Sequence, residues 1–104
     1  MHAAAPDPSG AAPIARSAAE ALSRTLRVVA DPTRLQVLSS ILGSSQQRAT
    51  VGQLAEMLDL TQPTVTHHVR ILVDDGVLVR HPEGKFVWLS VAPDRITSIE
   101  DLLR

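Results

Sequence analysis

The sequence predicts a mainly α fold with one small β-hairpin (α+β), and three observations lead to this prediction. A capped amphipathic helix is expected at residues 51–58, and a second one follows after a short turn at residues 61–73. Two short apolar segments, at 77–79 and 86–91, then flank a turn at 82–84. Two helices joined by a short turn and followed by a hairpin make a winged helix-turn-helix.

The chain before this region predicts a tail and two helices. Residues 1–15 are rich in Ala, Pro, Ser and Gly, which indicates a flexible tail, so that one domain is expected at 16–104. The first helix is expected at about 16–29. In the next helix Asp31 is the predicted N-cap and Pro32 the first residue. Its predicted buried residues are Leu35, Leu38, Ile41 and Leu42.

Capping residues define the two central helices. Thr50 and Gln53 have the spacing of a capping box, and Thr61 precedes a helix that carries Pro63 in its first turn. In that helix, Val65, Val69 and Leu72 share one face. Pro63, Thr66, His67 and Arg70 lie on the opposite face.

The end of the chain predicts the wing and a last helix. Asp75 and Gly76 end the preceding helix, and the hairpin follows them. In the return strand Trp88 is expected to face the core. The last helix is expected to begin near Pro93.

The polar face of the helix at 61–73 is suited to the major groove of DNA. Gln pairs with adenine in a bidentate manner, and Thr contacts the thymine methyl group. Arg80 and Lys85 of the hairpin are expected to contact phosphate or the minor groove, whereas His81 is equally well explained as a soluble surface residue. The predicted DNA-binding residues are Thr61, Gln62, Thr64, Thr66, His67, Arg70, Arg80 and Lys85.

The overall composition leaves this DNA contact weak. The 104 residues include 10 Lys and Arg against 11 Asp and Glu, for a net charge of −1. Modest non-specific affinity is therefore expected, with dimerisation needed to strengthen it. There is no apolar segment long enough to span a membrane and no signal-peptide pattern, so a cytoplasmic location is expected.

Apolar residues in the first and last helices predict a dimer. They exceed what a small winged core needs, so a second copy of the chain is the expected partner. The predicted interface comprises Leu22, Leu26, Ile96, Ile99 and Leu102.

Several segments in this order resemble the ArsR family of bacterial winged-helix repressors. They are residues 30–38, 51–55, 60–69, 75–78, 83–85 and 87–89. The resemblance covers roughly residues 18–103 and implies a dimer that binds DNA through its helix-turn-helix. The family's thiol metal sites do not carry over, because residues 48–53 and the rest of the chain contain no Cys. Its last-helix metal site resembles Asp-x-His, whereas Asp94 is followed here by Arg95 and Ile96.

No metal, cofactor or catalytic activity is expected. His67 and His68 diverge on a helix by about 100°, so DNA contact or packing is favoured over a shared ion. Arg34 is open to two interpretations, pairing with a local acid or supporting helix packing. Asp94, Glu100 and Asp101 are better explained as a solvated helix face than as a cation site. Neither a phosphate-binding loop nor a nucleophile motif is apparent.

The sequence therefore predicts a homodimeric, sequence-specific DNA-binding transcriptional regulator. Repression by occlusion of an inverted-repeat operator in double-stranded DNA is the expected mechanism. The alternative is a winged-helix protein-interaction module with weak or no specific DNA binding, which the near-neutral charge keeps open.

Overall fold

A computed structural model describes residues 12–104, which fold as five helices and one antiparallel hairpin. The helices are α1 (Arg16–Val29), α2 (Pro32–Leu42), α3 (Val51–Leu58), α4 (Gln62–Asp74) and α5 (Ile96–Leu102), and the strands are β1 (Leu78–Glu83) and β2 (Phe86–Val91). Short 3₁₀ turns precede α3 and α5, at Ser45–Gln47 and Pro93–Arg95. The predicted winged helix-turn-helix is confirmed. Most of the predicted tail, residues 1–11, lies outside the described part.

The starts of α2, α3 and α4 are fixed by side-chain caps. The Asp31 carboxylate accepts a hydrogen bond from the Arg34 backbone N–H at 3.0 Å. Thr50 and Gln53 form a reciprocal capping box, with bonds of 3.2 and 3.0 Å. Asp59 ends α3 in the left-handed conformation, with φ 55°, and so makes the tight turn into α4.

The core lies between α2, α3, α4, the base of the hairpin and α5. Val65, Val69 and Leu72 of α4 are all buried in it, which places the opposite face of that helix in solvent. Ala49 pairs with Leu89 of β2 and thereby joins the segment before α3 to the wing. The helix α4 and the hairpin are therefore supported by one continuous core.

The hairpin differs from the prediction in its first strand and turn. Pro82 and Glu83 belong to β1, opposite Val87 and Phe86, and the connection is the two-residue turn Gly84–Lys85. Gly84 has φ 63°, which residues with a β carbon rarely adopt. Proline is tolerated in β1 because each strand of a two-stranded sheet has a free edge. The return strand at 86–91 is confirmed.

The prediction that Trp88 faces the core is wrong. Leu89 and Val91 are the buried residues of β2, and Trp88 lies half-buried on the other face of the hairpin. Alternation in a strand places neighbouring side chains on opposite faces, so the burial of Leu89 excludes Trp88 from the core.

The predicted dimer surface needs correction at Ile99. This side chain is 1% exposed within a single protomer, because it packs into the protomer's own core. Ile96 packs partly against the same core. Leu22, Leu26 and Leu102 remain exposed, at 44%, 38% and 46%. A partner can therefore cover these three leucines but gains nothing further from Ile99.

Within residues 12–104, no helix has both the length and the hydrophobicity to span a bilayer.

Truncation of Ile99 should therefore destabilise the protomer itself. Ile99→Ala leaves a cavity in a close-packed core, and a loss of about 2–5 kcal/mol in the free energy of unfolding is expected. Met57→Ala removes an exposed side chain from a helix and should change stability by no more than about 0.5 kcal/mol. Urea unfolding followed by circular dichroism measures both. Equal effects would contradict the assignment of Ile99 to the core.

Candidate nucleic-acid interface

The outer face of α4 carries a shallow polar depression that includes four of the eight residues predicted to bind DNA. Val65, Val69 and Leu72 anchor the helix from behind, so this face is directed away from the core. The Gln62 side chain approaches Gly52 of α3. A β carbon added at Gly52 would lie 3.7 Å from the Nε2 atom of Gln62. The depression is lined by Gln62, Pro63, Thr66, His67 and Arg70.

Thr61 and Thr64 form the N-terminal cap of α4. Thr61 Oγ1 accepts a bond from the Thr64 backbone N–H at 3.3 Å and donates to Thr64 Oγ1 at 2.9 Å. The Thr61 hydroxyl proton is therefore committed to the cap. The hydroxyl proton of exposed Thr64 stays available to an external acceptor.

The wing presents the other predicted residues. Arg80 lies exposed on β1 and Lys85 lies in the exposed turn. The Nε2 atom of His81 is 3.1 Å from the Ser90 hydroxyl across the hairpin. This contact gives the exposed His81 a hydrogen-bond partner within the hairpin.

A polar cluster on the wing was not predicted. Arg48, in the segment before α3, forms an ion pair with Glu83 at the end of β1, with Nη1 to Oε2 at 2.9 Å. The Arg48 guanidinium also lies 4.1 Å from the centre of the Trp88 ring, in a cation–π contact. The contact between Arg48 and Glu83 spans 35 residues of sequence, and no local pattern reveals it.

Arg34 is the second feature that the sequence left open, and the structure resolves it. Its Nε donates to the carbonyl of Val28 in α1 at 2.6 Å, and its Nη1 lies 3.3 Å from Nδ1 of His68 in α4. The Asp31 carboxylate is 3.9 Å from the same His68 nitrogen. The Arg34 side chain, carried by α2, therefore links α1 to α4 and helps to set the position of α4.

His68 is thereby a packing residue and His67 a surface residue. The side chain of His68 is 15% exposed, whereas His67 is exposed on the depression. Because Arg34 has only protons to donate, its bond to Nδ1 requires that this nitrogen carry none, which selects the neutral Nε2–H form of His68. Since Nδ1 carries no proton, the Asp31 carboxylate at 3.9 Å forms neither a hydrogen bond nor an ion pair with it.

Both titratable partners in this cluster have lowered pKa values. The pKa of His68 is lowered first by burial, with smaller lowering effects of Arg34 and His67, and the Asp31 charge opposes them. The pKa of Asp31 is lowered mainly by the backbone N–H of Arg34, against the opposing effect of burial. Both groups therefore prefer their unprotonated forms in the folded protein.

Within the described range, no group of three or more His, Cys, Asp or Glu side chains is arranged to hold a metal ion. Asp31 and His68 approach one another, but Arg34 places a positive charge beside the imidazole nitrogen that a metal would need.

Acidification should destabilise the protein through His68. A lowered folded-state pKa means that the unfolded chain binds the proton more tightly, so the stabilisation is present above the usual histidine value of 6.5 and is lost as the pH falls below it. The melting temperature should fall between pH 7.5 and about pH 5. Asp31, whose ordinary pKa is 3.8, does not titrate in that window.

The variant His68→Asn isolates this effect. Asparagine keeps an acceptor near the position of Nδ1 but does not titrate, so its melting temperature should depend less on pH than that of the wild type. His81→Asn, at the wing, should retain the wild-type dependence. A wild-type slope in His68→Asn would exclude His68 as the source.

Comparison with known proteins identifies the family. The model of the family described as "Bacterial regulatory protein, arsR family" matches residues 31–79, which include α2, α3 and α4. The transcriptional repressor SdpR of Bacillus subtilis is 29% identical over 70 residues, which cover 67% of this chain and 74% of SdpR.

Two solved structures share the fold. HlyU from Vibrio cholerae superposes with a TM-score of 0.76 at 25% identity, over 85% of this chain and 94% of HlyU. The ArsR family transcriptional regulator RHA00566 superposes with a TM-score of 0.61 at 30% identity, over 82% of this chain and 84% of that one. On sequence and structure together, this chain belongs to the ArsR family of bacterial transcriptional regulators.

Proposed function

We propose that this chain is a homodimeric repressor that covers an inverted-repeat operator. The observation that carries the proposal is the exposed depression on α4, where an amide, a hydroxyl, an imidazole and a guanidinium lie together. These groups suit base edges and phosphates in a major groove. A dimer presents two such helices to half-sites roughly 34 Å apart.

Each residue of the depression has a separate role in this proposal. Gln62, in the first turn of α4, is the candidate for a bidentate contact with adenine. Thr66 reads a base edge or a thymine methyl group. His67 and Arg70 lie further along the same face and contact bases or phosphates. Thr61 and Thr64 set the start of the helix, and Thr64 has a hydroxyl proton left for a phosphate.

The wing supplies positive charge in spite of the chain's near-neutral balance. Arg80 and Lys85 are exposed on the hairpin, and the acidic residue beside them, Glu83, is paired with Arg48. This pairing reduces the repulsion between the wing and DNA phosphates. We expect the wing to contribute salt-dependent affinity with little sequence preference.

The dimer forms through α1 and α5 in this proposal. Leu22, Leu26 and Leu102 remain exposed on the protomer, with Ile96 partly so, and together they offer an apolar surface that water disfavours. Two copies related by a two-fold axis cover the same surface on each protomer.

Family membership favours this function over the protein-interaction module. The near-neutral charge that supported the alternative is the charge of the whole chain, whereas the proposed DNA-binding face carries Arg70, Arg80 and Lys85 with Glu83 neutralised. Binding to random duplex DNA at low salt, followed by competition with an inverted-repeat site from upstream of the chain's own gene, separates the two. Failure of the inverted repeat to compete better than random DNA would support the interaction module.

Removal of the Gln62 amide should weaken binding to the operator more than binding to random DNA. A lost bidentate contact costs about 1–3 kcal/mol on the cognate site. Fluorescence anisotropy with labelled operator and random duplexes measures both affinities for Gln62→Ala. Gln36→Ala, a matched change on an exposed part of α2, should leave both unchanged. An equal loss on the two DNAs would show that Gln62 contacts only the backbone.

A charge in the exposed leucine surface should dissociate the dimer. Leu26→Glu would bury an unpaired carboxylate at the interface, so sedimentation should show monomer where the wild type is dimeric, and operator binding should be lost. Met57→Glu places the same charge on an exposed residue of α3 and should remain dimeric. A wild type that is monomeric at micromolar concentration would contradict the proposed interface.

A further inference from the structure

An open cleft lies between the wing, α3 and the segment that precedes α3. Its volume is about 610 Å³, within the usual size of small-molecule sites. Trp88 and Met57 supply apolar surface, and Arg48 supplies the positive charge. Hydroxyl and amide groups complete the lining, together with one acid; these residues are Ser44, Ser45, Gln46, Gln53 and Glu56.

Two groups in the cleft have unused binding capacity. Arg48 uses Nη1 for its ion pair with Glu83, and no hydrogen bond from its Nε or Nη2 is found among residues 12–104. The Arg48 side chain is 30% exposed, and its guanidinium lies against the Trp88 ring, 4.1 Å from the ring centre. Met57 is 54% exposed although it is an apolar residue. A cation with free donors thus lies beside uncovered apolar surface.

We propose that this cleft is an effector site for a small planar aromatic carboxylate, which weakens DNA binding by drawing Arg48 away from Glu83. The effect on DNA binding rests on the proposed repressor function, whereas the binding of the ligand is argued from the cleft alone. It concerns Arg48, Trp88 and Glu83, which lie outside the depression on α4.

The chemistry of the cleft selects this ligand class. A carboxylate matches the paired N–H donors of a guanidinium, and the match is bidentate. An aromatic ring covers Met57 and the open edge of Trp88, since sulfur and aromatic groups pack favourably. Glu56 disfavours a second negative charge on the ligand and would accept a hydrogen bond from a ring hydroxyl or amino group.

The consequence for DNA follows from the charge of Glu83. In the free protein Arg48 compensates this carboxylate, which lies at the end of β1 next to the wing turn. A ligand carboxylate competes for the same guanidinium. Glu83 then carries an uncompensated negative charge close to the phosphates that the wing approaches, and the operator affinity falls.

Trp88 provides a direct assay because it is the only tryptophan in the chain. Its emission should change saturably when the DNA-free protein is titrated with benzoate, with a dissociation constant on the order of millimolar or tighter. Benzamide, which has the same ring without the charge, and acetate, which has the charge without the ring, should each bind at least about tenfold more weakly.

Matched variants tie the signal to the cleft. Arg48→Gln should lose benzoate binding, whereas Arg16→Gln, which changes an arginine that is 90% exposed on α1, should bind as the wild type does. Glu56→Gln should bind benzoate at least as tightly as the wild type. Circular dichroism of each variant is the control for folding. Absence of a saturable change with benzoate, or an unchanged signal in Arg48→Gln, would overturn the proposal.

The regulatory step is tested separately with operator DNA. Benzoate should lower the operator affinity of the wild type, and benzamide at the same concentration and ionic strength should not. Glu83→Gln should still bind benzoate in the fluorescence assay but should keep its operator affinity when benzoate is bound. If benzoate lowered the operator affinity of Glu83→Gln as much as that of the wild type, the mechanism would be overturned. If the protein binds benzoate but no operator, the proposed repressor function fails while the cleft assignment stands.

Discussion

The arrangement of the helices depends on the guanidinium of Arg34. The guanidinium donates to the Val28 carbonyl in the last turn of α1 and to His68 in α4. The backbone N–H of Arg34 donates to the Asp31 carboxylate that caps α2. A planar group with fixed donor directions holds its two partners in one geometry, whereas the donors of a lysine ammonium rotate freely on a flexible stem. The orientation of the proposed DNA-binding face of α4 is therefore set jointly by this contact and by the apolar residues behind the helix.

Local signals explain why most of the fold could be predicted from sequence. Caps at Asp31, Thr50 and Thr61 mark the helix starts, and each acts within three residues of itself. The hairpin was harder, since Pro82 suggested a turn and the two-residue turn lies instead at Gly84–Lys85. Strand faces were harder still, because a shift of one position exchanges Trp88 with Leu89. The packing of β2 against the helices places Leu89 in the core, and that packing is not visible in the local sequence.

Residues whose role depends on distant partners could not be predicted. Arg48 lies next to a helix cap and looks like an ordinary surface cation until β1 brings Glu83 to it. Ile99 looks like a dimer residue because its helix is short and amphipathic, yet the protomer buries it completely. For the α4 face, periodicity was sufficient to group Pro63, Thr66, His67 and Arg70, because residues on one face of a helix need no distant contact to lie together.

Two arginines thus control two different parts of the proposed DNA-binding surface. Arg34 is enclosed among three helices and cannot easily change partners, so it fixes the orientation of α4. Arg48 lies at the surface, and its pair with the largely exposed Glu83 is weak, as exposed ion pairs generally are. A weak contact at the wing can be redirected by a competing anion at little cost in stability, whereas the same change at Arg34 would disturb the core. Regulation through the wing is therefore compatible with a recognition helix that stays rigid.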